Sequence, residues 1–189
     1  MIVIASNLLR DSHYGVTFRV GTGAALSTID AATDIYVIST YYKSEALFGQ
    51  ANALLAMVCT NLFFQIIVVW MQYRKKSWGV KLKEVMVTLL FLRLAIDALK
   101  VATDYQDADA TFSPLNEMVM NKCIELATES IPGCVLQLYV WLTNLEEAGT
   151  YALVSVGTSA MCTGFASAII SYDMDVDVPH RNSQPNFYG

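Results

Sequence analysis

The stretch ALFGQANALLAMVCTNLFFQIIVVWMQY, residues 46–73, contains no charged side chain, and neither does AGTYALVSVGTSAMCTGFASAIISY, residues 148–172. A helix that crosses a bilayer needs about 20 predominantly apolar residues, so each stretch is long enough to span a membrane. The alternative is a soluble bundle with buried helices, but helices of soluble proteins average only about 11–12 residues. The sequence therefore predicts an all-α, polytopic integral membrane protein.

The composition of the 189 residues agrees with a membrane location, because 54% are hydrophobic and only 15% are charged. Soluble domains carry about 25% charged residues. The hydrophobicity argues against disorder, and the net charge of −5 argues against a nucleic-acid partner. The four cysteines lie in apolar stretches without a CxxC motif, so we expect no disulfide, no metal site and no cofactor.

Three weaker segments bring the expected count to about five membrane helices. They are residues 24–42, residues 85–103, and a helix that Ser113-Pro114 opens and that contains the uncharged run 130–144. Segment 85–103 contains Arg93, Asp97 and Lys100, so it either crosses the membrane or dips into it and returns.

The two ends of the chain differ from the middle. Glycine, threonine and β-branched residues in Tyr14–Gly23 predict an extended or loop conformation. We expect an N-terminal cytoplasmic lead-in over residues 1–23, a helical membrane domain over 24–172 and a polar C-terminal tail over 173–189.

Basic residues orient the helices. The loop 74–83 contains five lysine and arginine residues, whereas 104–117 contains none. The positive-inside rule places loop 74–83 and the N-terminus in the cytoplasm, and we expect the plasma membrane. With five crossings, 104–117 and the C-terminus lie on the opposite side. If segment 85–103 instead dips into the membrane and returns, every later segment has the opposite orientation.

Charged side chains recur at helical spacing inside three of the segments. Positions three or four apart share one face of a helix, and this spacing links Asp30 with Asp34, Arg93 with Asp97, Lys100 and Asp104, and Lys122 with Glu125 and Glu129. A charge at the bilayer centre costs about 2.5–3.5 kcal/mol, so these side chains must meet one another or line water. Either they form a salt-bridge network that fixes helix packing, or they form a polar path for lipid headgroups, ions or protons.

Proline and small residues add two further expectations. Pro132, followed by Gly133, has no backbone N–H, which leaves the carbonyl of Thr128 without its partner and predicts a kink one turn beyond Glu129. Such a kink either lines a cavity or is an ordinary tolerated proline. In the last segment, small residues predict close helix packing rather than chemistry, namely Ser155, Ser159, Ala160, Gly164 and Ala168.

Four stretches resemble the XK-related family of multi-pass membrane proteins. DAATDIYVISTYY (30–42) is similar to the first helix of that family, and FGQANALLAMVCTNLFFQ (48–65) to its second. ELATESIPGCVLQLYVWL (125–142) is similar to its most distinctive stretch, and ASAIISYD (166–173) to the end of the following helix. Members consist of two related halves, of which this chain resembles the first. It departs from the family at Gly133, where Gln is usual.

The resemblance implies a function in lipid movement. Some members move phospholipids between leaflets, and the acids that are held to line their hydrophilic track correspond here to Asp30, Asp34, Glu125 and Glu129. We expect no covalent chemistry, and hence no enzyme. The acids attract the amine of a headgroup, and its phosphate is held by Arg93, Lys100 and Lys122.

Two other functions remain open. The same carboxylates suit an ion- or proton-coupled transporter or channel. A non-catalytic subunit would instead bind another membrane protein through the small residues of 148–172. The expected partners are membrane lipids, together with a second copy of the chain or another membrane protein.

Overall fold

The computed structural model describes residues 13–103, 105 and 111–176, and within these ranges the chain forms helices and no strand. The helices are α1 (His13–Tyr41), α2 (Phe48–Gln72), α3 (Trp78–Leu89), α4 (Arg93–Ala102), α5 (Pro114–Glu125), α6 (Ile131–Thr143) and α7 (Leu145–Val176). A 3₁₀ turn at Glu45–Leu47 precedes α2, and a π-helical turn at Leu126–Ser130 joins α5 to α6. The prediction of an all-helical protein is confirmed for the described residues.

Two helices are long and apolar enough to cross a membrane. They are Glu45–Gln72, with a mean hydropathy of 2.1, and Gly149–Tyr172, with 1.6, and they coincide with the two uncharged stretches of the sequence. Their large apolar side chains lie on the outside of the bundle, since Phe63 is 60% exposed and Met161 is 66% exposed. An apolar exterior of this kind is typical of helices that contact lipid.

Helices α1 and α7 pack against each other in opposite directions. The ring of Tyr36 lies 5.2 Å from that of Tyr151, and the guanidinium of Arg19 lies 4.7 Å above the ring of Tyr172. The start of α1 therefore adjoins the end of α7, and both ends of the described chain lie at one end of the bundle.

Helices α5 and α6 form one continuous rod beside α1. Ser113 caps it, because its hydroxyl accepts a hydrogen bond from the backbone N–H of Asn116 at 3.3 Å and Pro114 occupies the first turn. The predicted start of this helix at Ser113-Pro114 is confirmed. The rod from 114 to 143 is about 45 Å long, which exceeds the hydrocarbon thickness of about 30 Å.

Segment 85–103 is not a single helix. Helices α3 and α4 have 12 and 10 residues, or about 18 and 15 Å, and neither reaches across about 30 Å of hydrocarbon. The chain reverses between them at Phe91, whose φ is 58°, and the side chains of Glu84 and Arg93 meet at 2.5 Å. The expected count of five membrane segments is therefore not confirmed, because α3 and α4 form a hairpin.

The hairpin returns the chain to the end of the bundle from which it entered. Gln72, the last residue of α2, exchanges two hydrogen bonds with the backbone of Phe112, at 3.0 and 2.7 Å. Lys100, near the end of α4, donates to the hydroxyl of Tyr73 at 2.8 Å. Residues 74–77 and the described residues 111–113 thus lie at one end of the bundle, which we call the basic end.

This arrangement corrects the predicted topology. We expected loop 74–83 and residues 104–117 on opposite sides, but the end of α2 and the described residues 111–117 lie at one end of the bundle. The end of α7 lies there too, whereas the C-terminal residues 177–189 are outside the described residues. The stated alternative, a re-entrant 85–103, describes the structure. The physical reason is that Arg93 and Asp97 find their partners on α3 and α5 only if the chain turns back before α4.

The extended conformation expected for Tyr14–Gly23 is also wrong, because α1 begins at His13. Tertiary packing outweighs the weak helix propensity of glycine and β-branched residues. Val20 and Ala24 of α1 are buried with Ala98 of α4 and Met118 of α5. Residues 1–12 of the expected lead-in and 177–189 of the expected tail lie outside the described residues.

Alanine substitution is expected to change the stability of the protein in opposite directions at two glycines. A Cβ on Gly133 would lie 3.8 Å from Leu54 and 4.0 Å from Asp34, which are ordinary contacts. Gly149 has φ 62° and ψ 177°, a conformation that side chains rarely adopt. We expect Gly133→Ala to stabilise the protein by about 0.5–1 kcal/mol and Gly149→Ala to destabilise it by about 1–3 kcal/mol. Thermal unfolding in detergent measures both, and the reverse order would contradict the backbone geometry described above.

The hairpin topology predicts thiol accessibility. In a cysteine-free background, Ser77→Cys and Tyr105→Cys should be protected together from an impermeant thiol reagent in intact cells, because the positive-inside rule predicts that the basic end faces the cytoplasm. Lys43→Cys, at the other end of the bundle, should be labelled and serves as the matched control. Labelling of Tyr105→Cys with protection of Ser77→Cys would mean that residues 78–102 cross the membrane.

Candidate functional site

Asp30 of α1 is buried where α1 meets α6 and α7. Its side chain is 2% exposed. It accepts hydrogen bonds from the hydroxyl of Ser130 at 3.1 Å and from the hydroxyl of Ser159 at 2.5 Å. One carboxylate therefore joins three helical elements of the bundle.

Asp34 repeats this arrangement one turn further along α1. It is also 2% exposed, and one of its oxygens accepts from the amide of Gln137 at 2.8 Å and from the hydroxyl of Ser155 at 2.9 Å. The sequence reading of Ser155 and Ser159 as packing residues is incomplete, because both hydroxyls bind carboxylates. Ser155 and Ser159 are four residues apart on α7, as Asp30 and Asp34 are on α1, so the two antiparallel helices present matching pairs.

Lys122 is the cation among these acids. Its ammonium lies 3.5 Å from Glu125, donates to the carbonyl of Gly23 at 3.0 Å and donates to the hydroxyl of Ser27. The thiol of Cys162 lies 3.7 Å from the other oxygen of Glu125. The amphipathic stripe predicted for 122–129 thus faces α1 and α7, and it brings an ammonium into the acidic interior.

Glu129 lies closer to α2. It accepts a hydrogen bond from the amide of Asn61, whose carbonyl accepts in turn from Gln65 at 3.0 Å. We call Asp30, Asp34, Lys122, Glu125 and Glu129 the carboxylate cluster. It contains four carboxylates and one ammonium, all of them at most 7% exposed.

A π-helical turn positions Glu129. It occupies Leu126–Ser130, and it ends where the N–H of Ile131 donates to the carbonyl of Leu126, five residues earlier. Pro132 follows directly, without an N–H to offer the carbonyl of Thr128. Where a kink was predicted, the helix therefore has a widened turn, a feature that is frequent at functional sites.

A second cluster surrounds Arg93, which is 1% exposed. Its guanidinium contacts Glu84 of α3 at 2.5 Å, Asp97 of α4 at 3.1 Å and Glu117 of α5. Such multidentate pairing suits the planar guanidinium. We call Glu84, Arg93, Asp97, Lys100 and Glu117 the arginine cluster.

Asp97 connects this cluster to the rest of α5 and to Lys100. It accepts from the amide of Asn121 at 3.0 Å and lies 3.4 Å from the ammonium of Lys100. The predicted stripe of Arg93, Asp97 and Lys100 therefore faces α5, but its acidic partners are Glu84 and Glu117 rather than the carboxylate cluster. Asp104, the fourth predicted member, lies outside the described residues.

Sequence reasoning missed Glu84 and Glu117. Glu117 lies in the first turn of its helix, a position that the helix dipole alone explains for an acid. The signal was nevertheless present, because Glu117, Asn121, Glu125 and Glu129 are spaced by four and extend one polar stripe along the rod. Nothing in the local pattern identifies Glu84, which becomes a partner of Arg93 only through the hairpin.

Buried polar side chains continue along the α5–α6 rod. From Glu117 to Gln137 they cover about 30 Å of helix axis, which equals the hydrocarbon thickness of a bilayer. We call this row the polar column; its buried members are Glu117, Asn121, Lys122, Glu125, Glu129, Ser130 and Gln137.

A small cavity lies where the two clusters meet. Its lining includes Asn61, Gln65, Arg93, Glu125 and Glu129, and its volume is about 20 Å³. This volume accommodates about one water molecule. A phospholipid headgroup does not fit, so the polar column is closed in this conformation.

Three side chains of the interior have the donor types of a metal site. Asp30, Glu125 and Cys162 each bring one ligand atom within 4.8 Å of the others. The ammonium of Lys122, 3.5 Å from Glu125, already supplies a positive charge at this position. We therefore assign no metal here. The arrangement suits the holding of cations and the relay of protons better than covalent chemistry.

The contacts of Arg93 predict that its replacement lowers the stability of the protein. Arg93→Leu removes the guanidinium that contacts Glu84, Asp97 and Glu117, and of these three only Asp97 keeps a cation, Lys100. Removal of one partner of a buried ion pair costs about 3–5 kcal/mol. We expect a lower unfolding temperature and a lower yield of monodisperse protein in detergent. Arg74→Leu, at an exposed position of the same charge type, is the matched control. Equal behaviour of the two variants would show that the arginine cluster does not support the fold.

The comparison with protein families gives a single result. The model of the family described as XK-related protein matches residues 18–178, which is most of the chain. The comparisons with curated proteins and with solved structures gave no match. The matched range contains both clusters and the whole polar column. The chain therefore belongs to the XK-related family.

Proposed function

We propose that this chain is a lipid-transport module that lets phospholipids move between the leaflets of a membrane, as some XK-related proteins do. The observation that carries the proposal is the polar column, because it follows one helical rod for about 30 Å. A lipid headgroup needs polar contacts over this depth, while its acyl chains remain in the surrounding lipid. The apolar exterior of α2 and α7 is compatible with that division.

The clusters offer partners for both charged groups of a zwitterionic headgroup. The carboxylate cluster attracts the amine, and Lys122, Arg93 and Lys100 are the cations that suit the phosphate. No bond is made or broken, so no energy source is required. The proposal includes a plasma-membrane location with the basic end in the cytoplasm, supported by the five basic residues of loop 74–83.

Transport requires the column to open, since its cavity of about 20 Å³ excludes a headgroup. The contacts that close it on the side of α7 are hydroxyl groups, from Ser155 and Ser159, on Asp34 and Asp30. A headgroup amine offers a charged donor in place of a neutral one, so the Coulomb attraction between opposite charges is added to the hydrogen bond. Separation of α7 from α1 is thus the opening that the substrate itself favours.

The size of the cavity also favours a second candidate, a proton or cation pathway. One water between Glu125, Glu129 and Asn61 suits proton transfer along the carboxylates without any helix movement. Ion or proton flux without lipid movement would favour this candidate over lipid transport.

A partner protein is part of the proposal as well. Ala160, Gly164 and Ala168, spaced by four, lie on the exposed face of α7, away from the serines that bind the aspartates. Small residues at this spacing permit close approach of another membrane helix. The occupant is a second copy of the chain or another membrane protein.

The double variant Glu125→Gln, Glu129→Gln tests the role of the column. The amide keeps the shape of each side chain. Lys122 loses Glu125 but retains its electrostatic attraction to Asp30, so we expect the variant to fold with an unfolding temperature close to that of the wild type. Lipid flip in proteoliposomes, measured by quenching of a fluorescent lipid in the outer leaflet, should be abolished because the amine loses its counter-charge. Glu45→Gln, an exposed acid outside the column, should flip lipid normally.

Three outcomes contradict the proposal. A well-folded double variant with undiminished flip removes these two acids from the path. Failure of the double variant to fold shows that the acids brace the helices. Wild-type protein that is folded in liposomes yet flips no lipid argues for the non-catalytic subunit, or for a requirement for a second copy.

A further inference from the structure

Carboxylates outnumber cations in the two clusters taken together. The carboxylate cluster contains four acids and Lys122, and the arginine cluster contains three acids with Arg93 and Lys100. If every acid were ionised, four negative charges would remain uncompensated inside the bundle. A buried ionisable group without a partner becomes neutral instead, because burial of an isolated charge is too costly. At least one of these acids is therefore expected to carry a proton.

Glu129 is the acid of the carboxylate cluster with the weakest set of partners. It is buried, and among the described residues it accepts one hydrogen bond, from the amide of Asn61, and forms no ion pair. The two aspartates of the cluster each accept two hydrogen bonds. Glu125 lies 3.5 Å from the ammonium of Lys122. The ionised form of Glu129 is thus the least stabilised of the four.

The surroundings of Glu129 do not compensate its charge. The other three acids of the cluster add negative charge around it. Its neighbours α2 and α6 contain no charged residue, and neither does the apolar part of α7. The thiols nearest the cluster, of Cys134 and Cys162, are uncharged at neutral pH. Arg93 lines the same cavity as Glu129, but its guanidinium contacts the three acids of the arginine cluster.

A carboxylate oxygen of Glu125 lacks the donor that a protonated Glu129 would supply. Oε2 of Glu125 is buried and accepts no hydrogen bond from the described residues, although the ammonium of Lys122 lies 3.5 Å away. Glu125 and Glu129 line the same cavity of about 20 Å³, which holds about one water molecule. A protonated carboxyl group can donate to this oxygen, directly or through that water, whereas an ionised one cannot. The geometry and the charge count therefore identify the same acid.

We propose that Glu129 binds a proton in the closed conformation at neutral pH and releases it when another cation enters the carboxylate cluster. In this exchange the O–H bond of the carboxyl group breaks, the proton passes to water, and the carboxylate pairs with the incoming cation. The identification of that cation with a headgroup amine rests on the proposed function. The proton site itself does not depend on lipid transport.

Infrared spectroscopy tests the proton site, because a protonated carboxyl group has a C=O stretching band that an ionised one lacks. Wild-type protein in detergent at neutral pH should show this band, and Glu129→Gln should remove it. The amide resembles an uncharged carboxyl group in shape, so the variant should fold. Glu45→Gln makes the same change at an exposed acid and should leave the band intact. Absence of the band from the wild type, or its persistence in Glu129→Gln, would overturn the proposal.

The exchange is tested on the wild-type protein and so does not depend on the folding of a variant. Ammonium chloride is added at constant pH, since an ammonium ion is close to a water molecule in size. The carboxyl band should lose most of its intensity. Tetramethylammonium chloride supplies the same charge, but its cation exceeds the cavity of about 20 Å³ and should leave the band unchanged. Equal loss with the two salts, or no loss with ammonium, would overturn the exchange.

The exchange also predicts how the proposed lipid transport depends on pH. A proton and a headgroup amine compete for Glu129, so flip should be slower at about pH 6 than at about pH 8, by at most about ten-fold per pH unit. Phosphatidylcholine is the lipid of choice, because its headgroup does not titrate in this range. Equal flip at both values would overturn the exchange during transport. Protein that loses the band with ammonium yet flips no lipid would contradict the proposed function and support the proton site.

Discussion

The hydrogen bonds that Asp30 and Asp34 accept from the α5–α6 rod and from α7 constrain the rest of the structure. A carboxylate in an apolar environment must find donors within the protein, because an unpaired buried charge costs far more than a typical helix contact contributes. Ser130 and Ser159 serve one aspartate, and Gln137 and Ser155 the other. All four donors lie on neighbours of α1, so the register of α1, the α5–α6 rod and α7 follows from two side chains. The π-helical turn supports that register, since it contains the donor Ser130 and places Glu129 against Asn61 of α2.

The need of buried charges for partners within the protein also explains the hairpin of α3 and α4. A continuous helix over 85–103 would carry Arg93, Asp97 and Lys100 into the bilayer with acids on α5 alone. The reversal at Phe91 brings Glu84 to Arg93 and returns Lys100 to the level of Tyr73. A non-glycine residue with φ 58° costs of order 1–3 kcal/mol, which is less than the cost of a charge without its partner. The partners that buried charges require thus decide the path of the chain, and with it the end of the bundle at which residues 111–113 lie.

The sequence predicted which face of each helix is buried better than it predicted how far a segment extends and in which direction the chain continues. Helical spacing identified Asp30, Asp34, Lys122, Glu125 and Glu129 as one-sided stripes, and each is buried. Spacing states which residues share a face, but not where a segment turns back, so 85–103 was taken as a possible crossing. Glu84 was beyond local reasoning because its role arises from a contact across the turn. The sequence analysis treated Ser155 and Ser159 as small residues that permit close packing. Only the antiparallel packing of α7 on α1 shows that their hydroxyls donate hydrogen bonds. The helical conformation of Tyr14–Gly23 likewise depends on packing against α4 and α5, which are distant in the sequence.

The two clusters differ in a way that bears on their tasks. In the arginine cluster two cations face three carboxylates, and Arg93 contacts all three. In the carboxylate cluster one ammonium faces four carboxylates, and most of the remaining donors are neutral hydroxyl or amide groups. Neutral donors satisfy the hydrogen-bonding capacity of a carboxylate but leave its charge uncompensated. An added cation therefore lowers the energy of the carboxylate cluster more than that of the arginine cluster, whichever cation it is. The arginine cluster joins α3, α4 and α5, and it is the carboxylate cluster that the proposed function uses to bind positive charge from outside the chain.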